Sequence, residues 1–190
     1  MFDKNGCGGL SSLQAKYILY NTAAVRDWSG AHCALPPLAR HVNAFAAVNA
    51  VTRGECPSLR YVKPGATGEG TSWSDAGDLQ AMIDLPVTEN GTHIWVAAGT
   101  YRSPFPGASI HLNPDLQIYG GFNGTETFLI QRNSDPHTNG TILSGDTGVI
   151  GDPNDDALNV LDGFYLSNNF ILDGFTITGS RYGSGLLLVS

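Results

Sequence analysis

The densest group of oxygen ligands in this chain is a loop in which Asp152, Asn154, Asp155 and Asp156 fall within five positions, with Asp146 shortly before them. Calcium takes roughly six to eight such oxygens, and Asp152-x-Asn154-x-Asp156 imitates the opening of a calcium-binding loop. Ala157 stands where that loop needs glycine, and no glutamate follows at the right distance. A solvated turn cluster is the better reading, with Ca²⁺ as the sharper alternative.

Paired carboxylates are the next candidates. A glycoside hydrolase needs two of them about 5 to 9.5 Å apart, and Asp162 and Asp173 are available. Both, however, sit in the same Leu-Asp-Gly-Phe motif, at Leu161 and at Leu172, and aspartate is a favoured turn residue because its side chain binds backbone N–H groups. They are expected to be corner residues. A lyase would need a base to remove the proton next to a carboxylate. Lys63, Arg102, Arg132 and Arg181 are present but recur in no motif, and Arg102 and Arg132 read as loop ion pairs. His93, His111 and His137 lack metal-ligand spacing and read as ordinary surface or core histidines. No catalytic residue is assigned.

Among the aromatic residues, Trp73, Trp95, Tyr101, Phe105 and Tyr119 offer faces on which a sugar ring stacks. Trp95 lies inside an apolar run and reads as core, which leaves Tyr101 and Phe105 as the exposed carbohydrate-contact candidates. The patterns Asn90-Gly91-Thr92, Asn123-Gly124-Thr125 and Asn139-Gly140-Thr141 match a glycosylation acceptor, but Asn-Gly is also a common turn, and turns are expected.

These groups must be held by a chain of 190 residues with 24 glycines, 10 prolines, 42% hydrophobic and only 14% charged residues. That composition favours short strands and turns over long charged helices. Charge divides the chain: residues 1–60 carry six Lys/Arg against three Asp/Glu, and residues 61–190 carry four against fourteen, a net of −10. Such an acidic part argues against a nucleic-acid surface, which needs clustered Lys and Arg. Cys7, Cys33 and Cys56 all lie early, define no disulfide framework and form no zinc-type pair. The N-terminus lacks an apolar core of signal-peptide length, and no apolar run reaches the roughly 18 residues of a membrane span. The nearest run, Val42 to Val51 after Arg40-His41, is interrupted by Asn43 and Asn49 and reads as an Ala-rich helix or leader rather than a displaced signal peptide.

Residues 1–57 are expected to be a poorly structured or weakly helical extension, with helical spacing only at Leu13, Tyr17 and Tyr20 within Ser11 to Val25. From Tyr61 the pattern sharpens. Ser72 as N-cap, Asp75 in the first turn and the stripe Ala76, Leu79 and Ile83 predict a helix over Trp73 to Asp84. Short strands follow at Ile94–Ala98, Ser109–Leu112, Leu116–Phe122, Thr141–Leu143, Asn159–Leu166, Phe170–Thr178 and Gly185–Val189, with Gly99-Thr100-Tyr101 turning the chain outward. No second helix separates them, so alternating βαβ units are excluded.

Two internal similarities select stacked coils from the remaining all-β folds. Leu112 to Gly120 aligns with Leu166 to Gly174 at a spacing of 54, and Leu161-Asp162-Gly163-Phe164 recurs as Leu172-Asp173-Gly174-Phe175 at a spacing of 11. In both halves of the first pair an apolar alternation passes through a glycine corner, as though one strand bends and continues.

Tyr61-Val62-Lys63-Pro64-Gly65-Ala66, Ser72-Trp73, Asp78 to Ile83, Ile94 to Tyr101, Ile118 to Phe122, Thr141 to Asp146 and Ile171 to Gly179 together resemble bacterial right-handed parallel β-helix repeat proteins of the pectin-lyase-like superfamily. The resemblance implies an all-β fold, a right-handed parallel β-helix over residues 58–190, with Trp73 to Asp84 as the short helix capping its N-terminal end. It also implies export, to the extracellular space or the cell surface. The expected role is a non-catalytic segment for adhesion, surface display or contact with a polysaccharide or host glycan. The alternative is part of a polysaccharide lyase or glycoside hydrolase whose groove lies elsewhere. Because Leu186-Leu187-Leu188-Val189 stops inside a rung, the chain is expected to be truncated at that end and to pair edge to edge.

Overall fold

A computed structural model describes residues 57–190 except 90, 104, 182, 183 and 190, together with two short strands before them. The chain divides into two units, Met1–Cys56 and Pro57–Ser190. In the first, β1 (Ala24–Val25) pairs antiparallel with β2 (Arg40–His41). The helix expected within Ser11–Val25 otherwise, the apolar run after Arg40-His41 and the three cysteines lie outside the described residues.

The second unit is mostly β-strand, and every pairing between its named strands is parallel. Its strands are β3 (Ser58–Val62), β4 (Thr92–Ala97), β5 (Gly99–Tyr101), β6 (Ile110–Leu112), β7 (Leu116–Phe122), β8 (Thr141–Ser144), β9 (Asn159–Phe164), β10 (Ile171–Asp173), β11 (Thr176–Thr178) and β12 (Ser184–Val189). They form three sheets, ordered β3-β4-β7-β10, β5-β8-β11 and β6-β9-β12. From β4 onward each strand enters the next sheet in a fixed rotation, completed three times.

Strand alternation separates two apolar layers. The inward row Ile94, Ile118 and Leu172 is in register across β4, β7 and β10 and joins Val62, Leu79, Ile83, Leu112, Leu143 and Leu161 in the main core. The outward row Tyr61, Trp95, Tyr119 and Asp173 runs beside it. There Trp95, Tyr119 and Phe122 make a second buried cluster under Tyr61, Trp73 and Leu129. β4 is buried on both faces for this reason, which is why its sequence is nearly all apolar.

The spacing of 54 is a stacking register: Gln117, Ile118 and Tyr119 lie opposite Ile171, Leu172 and Asp173. The spacing of 11 is not, because Leu161 to Phe164 belongs to β9 and Leu172 to β10, in different sheets. The single bent strand expected over Phe170 to Thr178 is two strands, one in each of two sheets, joined at Gly174. Gly174 has φ +81°, and Gly120 packs so closely on it that a Cβ there would meet the Gly174 carbonyl oxygen at 2.4 Å. The earlier run behaves differently. β7 stays in one sheet from Leu116 to Phe122 and absorbs its extra residue as a bulge between the pairs Trp95–Tyr119 and Ala97–Phe122.

The helix expected over Trp73 to Asp84 is also divided. Trp73–Asp75 is a single 3-10 turn whose Asp75 N–H is accepted by Ser72, and α1 (Leu79–Asp84) begins after Asp78, which accepts from Ala81 N–H. Between them the backbone makes sheet-like bonds instead: Gly77 N–H donates to Tyr61 O at 2.9 Å and Gly68 N–H to Ala76 O at 2.9 Å. The expected stripe of Ala76, Leu79 and Ile83 is nonetheless buried.

This segment covers the first edge of each sheet. Gly77 bridges Val62 beside β3, Pro64 lies against Gly99 of β5, and the Gln80 carboxamide both accepts from His111 N–H at 2.9 Å and donates to His111 O at 3.1 Å beside β6. Arg60 completes the closure. Its guanidinium, 9% exposed, donates to Met82 O at 2.6 Å and Leu85 O at 3.1 Å, and also to Pro86 O, so that it satisfies carbonyls that the end of α1 leaves unpaired. Burial lowers its pKa from the ordinary arginine value. At the other end β10, β11 and β12 each have one strand neighbour, and Ile171, Leu186, Leu187, Leu188 and Val189 are exposed.

Gly121 shows how tightly the bulge is built. It has φ +91°, and a Cβ on it would come within 1.8 Å of Asn133 O, whereas Gly65, with φ +68°, has nothing within 4 Å. Gly121→Ala is expected to cost at least about 3 kcal/mol and Gly65→Ala about 1 kcal/mol. Urea unfolding of the two variants, compared at equal slope, measures the difference.

Candidate functional site

The residues expected to contact carbohydrate part company in the structure. Phe105 stands 70% exposed on its loop. Tyr101 does not: Gly99-Thr100-Tyr101 is a strand paired with β8 rather than an outward turn, which carries the Tyr101 ring into the main core at 5% exposure. Its hydroxyl donates to Ala97 O at 2.7 Å. Burial, with the nearby Asp78 charge second, holds its pKa above the ordinary tyrosine value. Trp73, Trp95 and Tyr119 are likewise occupied by packing. Trp95 stacks on Phe122 at 4.7 Å, Tyr61 meets Trp73 edge-on at 4.8 Å, and Trp73 Nε1 donates to Glu126 O at 2.7 Å. The Glu126 carboxylate accepts from the N–H groups of Asn123, Gly124 and Thr125, folding that loop over the aromatic cluster.

The acidic loop is bonded in part by its own backbone. Asp152 Oδ1 accepts from Asn154 N–H at 3.0 Å and from its amide at 2.8 Å, and these bonds lower the Asp152 pKa from the ordinary aspartate value. Asp155 Oδ2 accepts from Val149 N–H at 2.7 Å and Asp146 Oδ1 from Gly151 N–H at 2.9 Å. Arg181 ties the loop to the strand stack through Asn154 O at 2.8 Å. Among the described residues no three His, Cys, Asp or Glu side chains converge as a metal site. Local turn bonds thus engage Asp152 Oδ1, Asp155 Oδ2 and Asp146 Oδ1, while Asp155 Oδ1 and Asp156 Oδ1 are buried without a hydrogen-bond partner among the described residues.

Asp162 and Asp173 are separated into different sheets, and neither acts as a simple corner cap. Asp173 ends β10 and pairs with Arg132, whose guanidinium also donates to Gly120 O at 3.0 Å and lies 5.3 Å over the Tyr119 ring. That contact fastens the Asn123–Asn133 loop to two stacked strands, as the ion-pair reading of Arg132 anticipated. Arg102 instead donates to the backbone carbonyl of Asp146 at 2.8 Å.

Asp162 lies in the middle of β9 and meets a residue that its motif does not predict. The register places it beside His111 of β6, and His111 Nδ1 is 2.6 Å from Asp162 Oδ1. Their side chains are 46% and 26% exposed. Phe164, two residues along β9, sets its ring 5.8 Å from the imidazole. The contact engages Nδ1, holds the ring in one orientation and leaves Nε2 as the nitrogen for a ligand or a proton. Gln80 fixes the same residue from behind through both backbone bonds.

The other histidines differ. His93 packs edge-on to Tyr119 at 5.7 Å, and burial lowers its pKa from the ordinary histidine value, against a Gln117 hydrogen bond that raises it. His137 is exposed in a loop where its N–H is accepted by Asp135. Asn139, in one acceptor-like triplet, is buried with its amide on Gly174 O at 2.8 Å, a structural use.

No helix among the described residues is long and apolar enough to cross a membrane. Comparison with protein-family models, curated proteins and solved structures finds no match for the chain.

Two outcomes follow from these environments. Calcium or a chelator is expected to move the melting temperature by less than about 1 °C; a rise that grows with the logarithm of calcium concentration would restore a calcium site. The raised Tyr101 pKa gives a stability contribution that is fully present below the unfolded value of about 10 and is lost as pH rises through the folded value. Ultraviolet titration is expected to show Tyr101 un-ionised until alkaline unfolding, and Tyr101→Phe to cost about 1 kcal/mol at neutral pH through the Ala97 bond.

Proposed function

We propose that residues 58–190 build the capped end of a right-handed parallel β-helix of the pectin-lyase-like kind. This segment works outside the cell or on its surface as a non-catalytic scaffold that contacts a polysaccharide or a host or cell-surface glycan. The observation that carries the reading is the rotation of nine consecutive strands, β4 to β12, through three parallel sheets. Such a stack sets outward side chains in straight rows, one per rung and about 4.8 Å apart, a geometry suited to a long repeating polymer. The residue stacks support it further, with Ile94, Ile118 and Leu172 inward and Tyr61, Trp95 and Tyr119 outward. The acidic balance of this part, net −10 over residues 61–190, disfavours nucleic acid as the polymer.

One contact favours a second reading, a polysaccharide lyase or hydrolase. His111 with Nδ1 on Asp162 is an oriented imidazole of the sort that serves as a general base. Incubating the chain with uronate and neutral polysaccharides, with and without Ca²⁺, separates the two. The scaffold reading expects no new reducing ends and no unsaturated oligosaccharides. Their release by the wild type, and its loss in His111→Ala, would replace the scaffold with the enzyme.

A further inference from the structure

We propose that His111, Asp162 and Phe164 form a contact site for a neutral saccharide on the outward face of the β6-β9-β12 sheet. The inference rests on the glycan-contact reading and gives it an address. Along this face the register sets His111, Asp162 and Leu187 in one row, with Phe164 and Val189 in the next outward row. Phe164 is 45% exposed, Leu187 41% and Tyr165 76%.

The site therefore combines an apolar ring with a polar pair at its edge. A sugar ring has the matching division, with a face of C–H groups that lies on an aromatic ring and equatorial hydroxyls that reach the polar neighbours. Asp162 holds the imidazole through Nδ1 at 2.6 Å, so Nε2 is presented in one orientation before a ligand arrives. Gln80 fixes the His111 backbone through both its N–H and its C=O. A pair so held loses little freedom on binding, which is where weak saccharide contacts otherwise lose affinity.

Charge selects the class of sugar. Residues 57–190 carry five cations, and each is engaged away from this pair: Arg60 on Met82 O and Leu85 O, Lys63 over Trp73, Arg102 on Asp146 O, Arg132 on Asp173 and Arg181 on Asn154 O. Asp162 is itself in the site, and Asp84 is held by Gln80 next to His111. A uronate would bring its carboxylate against these acids with no lysine or arginine beside the pair among the described residues to receive it. A neutral ring meets no such cost.

The test uses the whole 190-residue chain with three probes, cellohexaose, N-acetylchitohexaose and hexagalacturonate, in titration calorimetry. At least one neutral hexasaccharide is expected to bind, with affinity falling about tenfold in Phe164→Ala and in His111→Ala and unchanged in Ile130→Ala, at an exposed residue of another loop. Hexagalacturonate is expected to bind at least about tenfold more weakly than the neutral probe. Binding that survives both site variants, or that is lost in Ile130→Ala, overturns this site while the glycan-contact reading stands; binding of none of the three overturns the site, and depolymerisation overturns the scaffold reading. Preference for hexagalacturonate overturns the neutral-sugar assignment. Should either variant unfold, the wild-type His111 imidazole resonances decide: they shift on adding the bound sugar if the site is correct and stay still if it is not.

Discussion

A parallel strand leaves half of its backbone N–H and C=O groups for a neighbour on either side, and this one demand organises the molecule. Within the stack each strand receives a partner above and below, so the problem is confined to the first and last strands of each sheet. At the first edge the chain meets it with one segment, residues 63–87, using different chemistry for each sheet. Backbone supplies the partner at β3, where Gly77 and Gly70 bond Tyr61; the Gln80 carboxamide imitates a strand residue at β6; the Pro64 ring lies against Gly99 at β5. The division of the expected helix into a 3-10 turn and α1 is a consequence. Gly77 is needed as an edge partner to Tyr61 and Lys63 and cannot also be helical.

Closing that edge brings a charge into the core. Arg60 stands in the inward row above Ile94, a position that the rows below give to Ile118 and Leu172. Burying a guanidinium is unfavourable unless its donors are satisfied, and here the carbonyls of Met82, Leu85 and Pro86 satisfy them. The same bonds satisfy the C-terminal end of α1, so two deficits cancel. A methionine or leucine at residue 60 would remove the desolvation of the cation but leave the carbonyls bare. The cap and the first strand are therefore interdependent, and neither has a low-energy form without the other.

What could be read from the sequence was whatever repeats in residue type and alternation. The alternation of Leu116, Ile118, Phe170 and Leu172 and the spacing of 54 located two paired strands, because matched positions on neighbouring parallel strands share surroundings. The spacing of 11 misled because Leu-Asp-Gly-Phe suits any strand that approaches a glycine, whichever sheet it belongs to. β5 was missed because three residues opening with Gly99 carry too little alternation to stand out from a turn, and the exposure expected of Tyr101 failed with it. The contact between His111 and Asp162 left no local trace. Its two residues are 51 positions apart, and what joins them is the register of β6 on β9, which depends on the lengths of every loop between.

That dependence explains why chemistry on this fold is hard to place from residue types alone. The acidic loop has the better spacing for a ligand set, yet Asp146, Asp152 and Asp155 each give one oxygen to a backbone N–H a few residues away. Turn carboxylates are consumed locally because the donors are a few residues away and cost little chain entropy to bring together. Side chains in the middle of a strand have no such donors, since the sheet takes the backbone groups on both sides. An outward histidine and aspartate on adjacent strands can satisfy one another only in part, which leaves Nε2 and one carboxylate oxygen outside the shared contact. Polar side chains on the outward rows of these sheets therefore meet across paired strands, as His111 and Asp162 do, whereas those of the loops bond first to donors a few residues away.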